Sequence, residues 1–218
     1  RTTSGIEWSR LNMLVSFYYL EHFRRNWPKV LKPAKTLLDS GAFSAWKRGH
    51  EPDWKKYYDW CDKWLNYPTS WAVIPDVVDG GSQLQDAMIR EWPFKGRGAP
   101  VWHMDEPLDR LAKLCDEWPK VCVGSTAEYA DVMSEAWCRR MDDMWDRVSR
   151  HHRRLPWLHM LRGMQLSGRH WPFASVDSTD IAQNHHRPQN TPRSMADRWD
   201  AIQCKAAWEI RPEQMELA

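Results

Sequence analysis

The stretch Leu37-Leu38-Asp39-Ser40-Gly41-Ala42-Phe43-Ser44 has the pattern of a buried strand that ends in a carboxylate. A second stretch, Phe173-Ala174-Ser175-Val176-Asp177-Ser178-Thr179, repeats this pattern far along the chain. Each places one aspartate directly after a short apolar run, which predicts that the aspartate stands where a strand ends. In parallel α/β proteins the C-terminal ends of the strands converge on one face, and that face carries the chemistry. The two stretches therefore predict a pair of functional carboxylates.

Short apolar runs alternate with longer amphipathic runs along the chain, which is typical of βαβ units and a parallel sheet. We predict strands at residues 13–17, 36–38, 71–74, 100–103, 121–124, 158–161 and 174–176, with a possible eighth at 207–210. We predict helices at residues 53–65, 82–92, 107–118, 126–150 and 194–206, the first capped by Asp53 and the fourth divisible into two. Residues 184–193, which contain two prolines, are expected to form an ordered loop.

Seven or eight strand–helix units in 218 residues favour a compact (β/α)₈ barrel of the TIM type. We expect a single domain over residues 1–218, in which residues 185–218 form a basic loop and a closing helix. A doubly wound open sheet is the alternative, because periodicity does not separate the two folds. The chain has no GxGxxG motif and no P-loop, which weighs against a dinucleotide-binding sheet.

The composition indicates a soluble globular protein, with 42% hydrophobic and 28% charged residues and a net charge of +2. No run approaches the roughly 20 apolar residues of a membrane span. The chain opens without a signal-like segment, so we expect a cytoplasmic protein with no membrane partner. No two of the five cysteines have metal-ligand spacing, which predicts reduced thiols and no structural zinc.

Basic residues concentrate in two blocks, at 139–154 and at 185–193. Such blocks are usually solvated faces. The second block follows the second acidic stretch, however, and a basic flank beside a catalytic face favours a polyanionic substrate such as nucleic acid. We expect His185, Arg187 and Arg193 to hold phosphates of that substrate.

Asp177 and Asp39 are the candidate catalytic residues. A carboxylate can attack an anomeric carbon and hold a covalent glycosyl intermediate while a second carboxylic acid protonates the leaving group. Asp177 is the candidate nucleophile, and Asp39 is the candidate acid if partial burial raises its pKa. The alternative for both residues is a local role as the cap of the following helix.

The candidate substrate-binding residues follow predicted strands or lie beside the two aspartates. A strand-end carboxylate can accept hydrogen bonds from a base, glycines allow close backbone approach, and an aromatic ring can stack. A turn aspartate, a structural histidine and local hydroxyl caps are the alternatives for the same positions. The set is Ser40, Gly41, Phe43, Asp76, His103, Gly124, Ser125, Gly163, Met164, Ser178 and Asn184.

The order of these motifs resembles the tRNA-guanine transglycosylase superfamily, above all its small phage-encoded members, described as queuine tRNA-ribosyltransferase-like or DNA 7-deazaguanine transglycosylases. The similarity covers about residues 12–185. It implies a TIM barrel and a base exchange that needs no cofactor. By the same resemblance Asp177 is the nucleophile, Asp39 handles the proton of the base, and Asp76 recognises the guanine edge. Gly124 would contact the base through its backbone, and Gly163-Met164 would cover the base slot.

Two departures from the tRNA enzymes shift the expected substrate. His103 stands where those enzymes carry a glutamine, and a histidine there resembles the phage group. Their cysteine-rich zinc subdomain is absent, since only Cys204 follows Asp177. That subdomain helps to hold tRNA, so its absence favours DNA.

We therefore expect a DNA-directed transglycosylase that exchanges guanine for a free 7-deazaguanine base such as preQ0. Two alternatives stay open. Water could replace the incoming base, which would make the chain a DNA glycosylase or a nucleoside hydrolase. A barrel that binds nucleic acid without catalysis is the other.

Overall fold

The computed structural model describes residues 11–19, 35–202 and 204. The strands are β1 (Asn12–Ser16), β2 (Lys35–Asp39), β3 (Ser70–Val73), β4 (Gly98–Ala99), β5 (Val101–His103), β6 (Val121–Gly124), β7 (Leu158–Met160) and β8 (Ser175–Val176). The α-helices are α1 (Ala42–Lys47), α2 (Trp54–Trp64), α3 (Ser82–Glu91), α4 (Leu108–Glu117), α5 (Glu135–His151), α6 (Asp180–Asn184) and α7 (Pro192–Asp200). Short 3₁₀ turns lie at Lys95–Arg97, Ala127–Tyr129 and Met164–Leu166.

The strands form two four-stranded sheets, with the orders β1-β2-β3-β4 and β5-β6-β7-β8. Every pairing is parallel and joins strands that are consecutive in the chain. The chain divides into two compact units, one of Arg1–Ala99 with Ser178–Ile202 and one that contains Pro100–Asp177. The first unit holds one sheet and the second holds the other. The predicted α/β class with parallel strands is confirmed.

The seven expected strands are all present, with bounds within two residues of those predicted. The structure adds β4, which pairs with β3 and ends one residue before Pro100. The predicted strand 100–103 therefore starts only at Val101, since Pro100 has no N–H to give to a ladder. The possible strand at 207–210 and the last residues of the expected closing helix lie outside the described residues.

Local capping decides where several helices begin. Asp53 accepts a hydrogen bond from the backbone of Lys56 and caps α2, as predicted. The predicted start of the last helix at residue 194 is wrong, because Thr191 caps α7 in a capping box with Ser194. The helix expected over 126–150 is a 3₁₀ turn followed by α5, which Ser134 caps. The expected loop at 184–193 is accordingly shortened at both ends by α6 and α7.

Tyr57 joins two strands of the first unit. It lies on the inner face of α2, one turn before Cys61, and both side chains are fully buried. Its hydroxyl oxygen lies 2.7 Å from the carbonyl oxygen of Val73 and 3.1 Å from that of Leu38. These carbonyls belong to the C-terminal halves of β3 and β2. The hydroxyl therefore supplies a hydrogen-bond donor where the two strands end.

One stripe of α5, packed with α4, contributes to the core of the second unit. Buried residues recur along α5 at the spacing of three and four that places them on one helix face. They are Trp137, Met141, Met144, Trp145 and Val148. The indole N–H of Trp137 donates to the Ser125 hydroxyl at 2.9 Å, which satisfies a buried polar group.

All five cysteines are free thiols. Burial raises the pKa of Cys61 and of Cys115 to about 12. Both groups are therefore neutral and packed as small apolar side chains at physiological pH. Within the described ranges, no helix has both the length and the apolarity needed to cross a bilayer.

We predict that Tyr57→Phe lowers the free energy of unfolding by about 1–3 kcal/mol, the usual cost of removing a buried hydrogen-bond donor. The change deprives the carbonyl oxygens of Leu38 and Val73 of that donor. Equilibrium unfolding in urea, followed by circular dichroism, measures the difference.

Tyr58→Phe is the matched control in the same helix. The Tyr58 hydroxyl oxygen is buried and has no hydrogen-bond partner among the described residues. Removing it is expected to leave the free energy of unfolding unchanged or slightly higher. Equal losses in the two variants would contradict the role assigned to Tyr57.

Candidate active site

Asp177 follows β8 directly and is tied to the end of β7. Its Oδ1 accepts a hydrogen bond from the backbone N–H of Arg162 at 2.7 Å and lies 3.3 Å from Nε2 of His159. The side chain is only 16% exposed. The next helix, α6, is flanked by Thr179, while the Ser178 hydroxyl accepts the N–H of Asp180. Asp177 is therefore bonded back to β7 and does not serve as the cap of the following helix.

His159 connects Asp177 to Ser175. It pairs in register with Ser175 across β7 and β8, and its side chain is buried. Its Nδ1 lies 2.7 Å from the Ser175 hydroxyl, on the opposite side of the ring from Asp177. An ionised carboxylate only accepts hydrogen bonds, so Nε2 carries the proton and Nδ1 accepts from the hydroxyl. The donors therefore run from Ser175 through His159 to Asp177.

The two oxygens of the Asp177 carboxylate differ in their surroundings. Both hydrogen bonds that the carboxylate accepts go to Oδ1, one from the backbone N–H of Arg162 and one from the His159 ring. Within the described part of the chain, no donor binds Oδ2. A carboxylate fixed through one oxygen, with the other available, has the geometry that an oriented nucleophile needs.

Gly163 and Met164 lie in the turn beside Asp177. The backbone N–H of Met164 donates to the carbonyl oxygen of Asp177 at 3.2 Å. A Cβ at position 163 would lie 2.4 Å from Cγ of Met160, so only glycine fits where the chain leaves β7. The structure thus brings these two sequence candidates to the predicted nucleophile.

His103, Gly124 and Ser125 cluster at the ends of β5 and β6. His103 pairs in register with Gly124, and a Cβ on that glycine would lie 3.3 Å from Cδ2 of the imidazole. The Ser125 hydroxyl faces the core, where it accepts the indole N–H of Trp137. The Ser125 hydroxyl therefore has a structural role.

Glu106 is a buried carboxylate that the sequence analysis missed. It accepts the backbone N–H of His103 at 3.0 Å and pairs with Arg110 at 3.0 Å. Arg140 donates to the carbonyl oxygen of Met104 at 2.7 Å in the same turn. These contacts fix the segment that follows β5 and so fix the position of His103.

Asp39 and its neighbours lie in the first unit. Asp39 is the last residue of β2, as predicted, and is partly buried. The Ser40 hydroxyl accepts the N–H of Ala42 at 3.3 Å, and Gly41 is the N-cap residue of α1 with φ of 75°. A Cβ at position 41 would lie 2.4 Å from Cβ of Tyr18. The sequence predicted that Gly41 lets the backbone approach a ligand closely. In the structure the close neighbour of Gly41 is Tyr18.

Phe43 and Asp76 occupy different positions within the first unit. The Phe43 ring lies 5.7 Å from that of Trp46, which is 49% exposed. Asp76 precedes a turn whose Val77 is held by the buried amide of Gln85, with N–H to Oε1 at 3.1 Å. Gln85 lies on α3, eight residues away, and no sequence motif marked it.

The basic loop is partly engaged in local contacts. Asn184 donates to Asp180 at 2.7 Å within α6, and Nδ1 of His185 lies 3.0 Å from the carbonyl oxygen of Ile181. Arg193 pairs with Asp197 at 2.9 Å on α7. Arg187 is exposed. Arg193 is one of the basic side chains expected to hold phosphates. It would have to release the Asp197 carboxylate before it could bind a phosphate.

No protein-family model, curated protein or solved structure matches the chain. Its function is therefore inferred from its own residues and contacts. Asp177 with His159, Ser175 and Arg162 is the most constrained group of candidate residues within one unit.

We predict that Gly41→Ala costs about 2–4 kcal/mol of folding free energy, the sum of left-handed backbone strain and overpacking. Urea unfolding of the variant measures the loss.

Gly49→Ala is the control, because Gly49 also has a positive φ, of 65°, but its Cβ would meet no atom within 4 Å. It should cost only about 1 kcal/mol from the backbone strain. A Gly41→Ala variant as stable as Gly49→Ala would show that Tyr18 does not enforce the glycine.

Proposed function

We propose that this protein is a nucleic-acid base transglycosylase, which exchanges guanine in DNA for a 7-deazaguanine base such as preQ0 through a covalent Asp177–sugar intermediate. The observation that carries the proposal is the carboxylate of Asp177, held through Oδ1 by Arg162 and His159. The order of strand-end motifs that resembles the guanine transglycosylases supports it further.

The fold proposed for this activity is a TIM-like (β/α)₈ barrel, in which the C-terminal ends of all strands share one face. Two features of the described chain support it. All strands are parallel and are ordered as they occur in the sequence. Asp39 closes β2 and Asp177 follows β8, so both candidate residues stand at strand C-terminal ends.

The first displacement transfers the sugar to the protein. Oδ2 of Asp177 attacks C1′ of a guanine nucleotide that has been flipped out of the duplex. The bond from C1′ to N9 breaks and its electron pair stays on the guanine. Asp39, in its acid form, gives a proton to the departing base.

The second displacement reverses these steps with a different base. The incoming 7-deazaguanine gives its N9 proton to Asp39, its N9 attacks C1′, and the bond from C1′ to Asp177 breaks. One glycosidic bond is exchanged for another, so the reaction consumes no oxidant, reductant or water.

His159 acts as a positioning residue in this mechanism. Its Nε2–H faces Oδ1, and the Ser175 hydroxyl holds the other side of the ring. The imidazole is buried, so the ring has little freedom to turn. Asp177 is thereby held so that Oδ2 points away from its two donors.

DNA is the proposed partner, with phosphates beside the flipped nucleotide held by the exposed Arg187 and by His185. Residues 185–191 join α6 to α7, and the capping box of Thr191 and Ser194 fixes where this segment ends.

We predict that DNA with radiolabelled guanine releases its label when the protein and preQ0 are added, and that a protein–DNA adduct survives on a denaturing gel. Asp177→Asn should abolish both signals, because an amide is not a competent nucleophile. Asp39→Asn should slow release while the fold is retained.

Label release that needs no added base and leaves abasic sites would instead identify a hydrolytic glycosylase. Absence of release and of adduct with both DNA and tRNA would contradict the proposal. Unchanged DNA affinity in Asp177→Asn, together with no turnover in the unmodified protein, would identify a binding protein.

We predict that His159→Phe lowers kcat about 10²-fold, the scale expected when a reacting group loses its alignment, with KM changed much less. His159→Gln keeps a side-chain N–H that can reach Oδ1, so it should restore a large part of kcat. Steady-state exchange kinetics measure both variants. Equal defects in the two variants would assign His159 a merely structural role.

The donor order supports a second candidate function. A hydroxyl that donates to an imidazole, which donates to a carboxylate, is the donor order of a serine hydrolase triad, although here Nδ1 faces the hydroxyl and Nε2 the carboxylate, the reverse of the usual triad. In that case Ser175 is the nucleophile of an acyl transfer. A fluorophosphonate probe distinguishes the two: labelling lost in Ser175→Ala supports the hydrolase, while a DNA adduct retained in Ser175→Ala supports the transglycosylase.

A further inference from the structure

Two imidazoles and one carboxylate converge where α5 ends, in the second unit. His151 is the last residue of α5, His152 follows it, and Asp116 lies on α4. Nε2 of His151 lies 2.7 Å from Oδ2 of Asp116, and Nε2 of His152 lies 3.1 Å from Oδ1. One ligand atom from each of the three residues can be chosen so that all lie within 4.8 Å of one another.

The tautomer of His152 is set by the helix that precedes it. Its Nδ1 lies 3.2 Å from the carbonyl oxygen of Val148. A carbonyl only accepts, so Nδ1 carries a proton, and Nε2 is the ring nitrogen that remains to face Asp116. Two electron-rich atoms at this distance repel each other unless a proton or a metal cation lies between them. A ring N–H bonded to a carbonyl is also the usual support of a histidine metal ligand.

We propose that Asp116, His151 and His152 form a binding site for a divalent transition-metal ion, with Zn²⁺ as the representative. Imidazole nitrogens with one carboxylate oxygen suit Zn²⁺ and its neighbours, whereas Mg²⁺ and Ca²⁺ prefer oxygen ligands throughout. Tetrahedral bonds of about 2.0–2.1 Å place ligand atoms about 3.4 Å apart. The two nitrogen–oxygen distances, 2.7 and 3.1 Å, are shorter than that value and involve different carboxylate oxygens. The side chains must therefore move apart by several tenths of an ångström to admit the ion.

The charges around the cluster permit a cation. Arg147 and Arg150 of α5 lie nearby in sequence, and each pairs with another carboxylate, Asp109 and Asp146 respectively. The Asp116 carboxylate is shared by the two histidines. The metal would join α4 to α5 at the end of a helix that supplies five buried residues to this unit's core.

The competing explanation is a pair of protonated histidines that simply neutralise Asp116 at a helix C-terminus. The two explanations differ in their response to metal, so binding measurements separate them. His170→Asn is the matched control, because His170 lies 3.3 Å from Asp142 as a single histidine–aspartate pair in the same unit.

The experiment titrates the chelator-treated protein with Zn²⁺ in competition with a chromophoric chelator, and with Co²⁺ followed by its visible absorption. We expect one equivalent bound, at least tenfold weaker binding in His151→Asn, His152→Asn and Asp116→Asn, and unchanged binding in His170→Asn. Zn²⁺ should raise the Tm of the unmodified protein and leave that of the doubly substituted His151→Asn/His152→Asn protein unchanged.

Binding that is absent, or equally tight in the doubly substituted protein, would overturn the proposal, and so would binding lost in His170→Asn. Circular dichroism of each variant separates loss of the site from loss of the fold. The result is independent of base exchange, because the cluster shares no residue with the contacts of Asp177.

Discussion

Backbone groups at the C-terminal ends of parallel strands must find hydrogen-bond partners where the ladder stops, and this constraint organises the described chain. In the first unit the Tyr57 hydroxyl approaches the carbonyl oxygens of Leu38 and Val73. In the second unit Glu106 accepts the N–H of His103, and Asp177 accepts that of Arg162. At these strand ends a side chain from outside the strand completes the backbone hydrogen bonding, at the edge where parallel sheets place functional groups.

The carboxylates among these side chains differ in how much hydrogen-bond acceptor capacity their backbone contacts leave unused. The Glu106 carboxylate uses its two oxygens on His103 and Arg110 and is buried. Both donors to the Asp177 carboxylate bind the same oxygen, and part of its surface is exposed. A group that both completes the backbone and retains acceptor capacity is the better candidate for chemistry, which is why Asp177 carries the functional proposal.

The second unit combines two histidine–aspartate arrangements with different consequences. In one, His159 is buried between a hydroxyl and a carboxylate, so its proton position follows from its partners. In the other, two consecutive histidines meet one carboxylate from a neighbouring helix. The first arrangement orients a single carboxylate, whereas the second brings one atom from each of three side chains within 4.8 Å of one another.

The sequence by itself determined the features that depend on short-range patterns. Short apolar runs between amphipathic runs located seven strands, including β6 at its observed bounds, and Asp53 was identified as the cap of α2. Asp39 and Asp177 were placed correctly at strand ends for the same local reason. Even here the start of α7 was wrong, since Thr191 and Ser194 are both good cap residues and only the capping box selects between them.

Only the tertiary structure decided which of these residues meet. His159 was predicted merely as part of a strand, and its contact with Asp177 depends on the register of β7 against β8. Asp116 and His151 are 35 positions apart and meet because α4 packs on α5. Strand register and helix packing are set by summed contacts across the chain, so they leave no signal in any single short stretch of sequence.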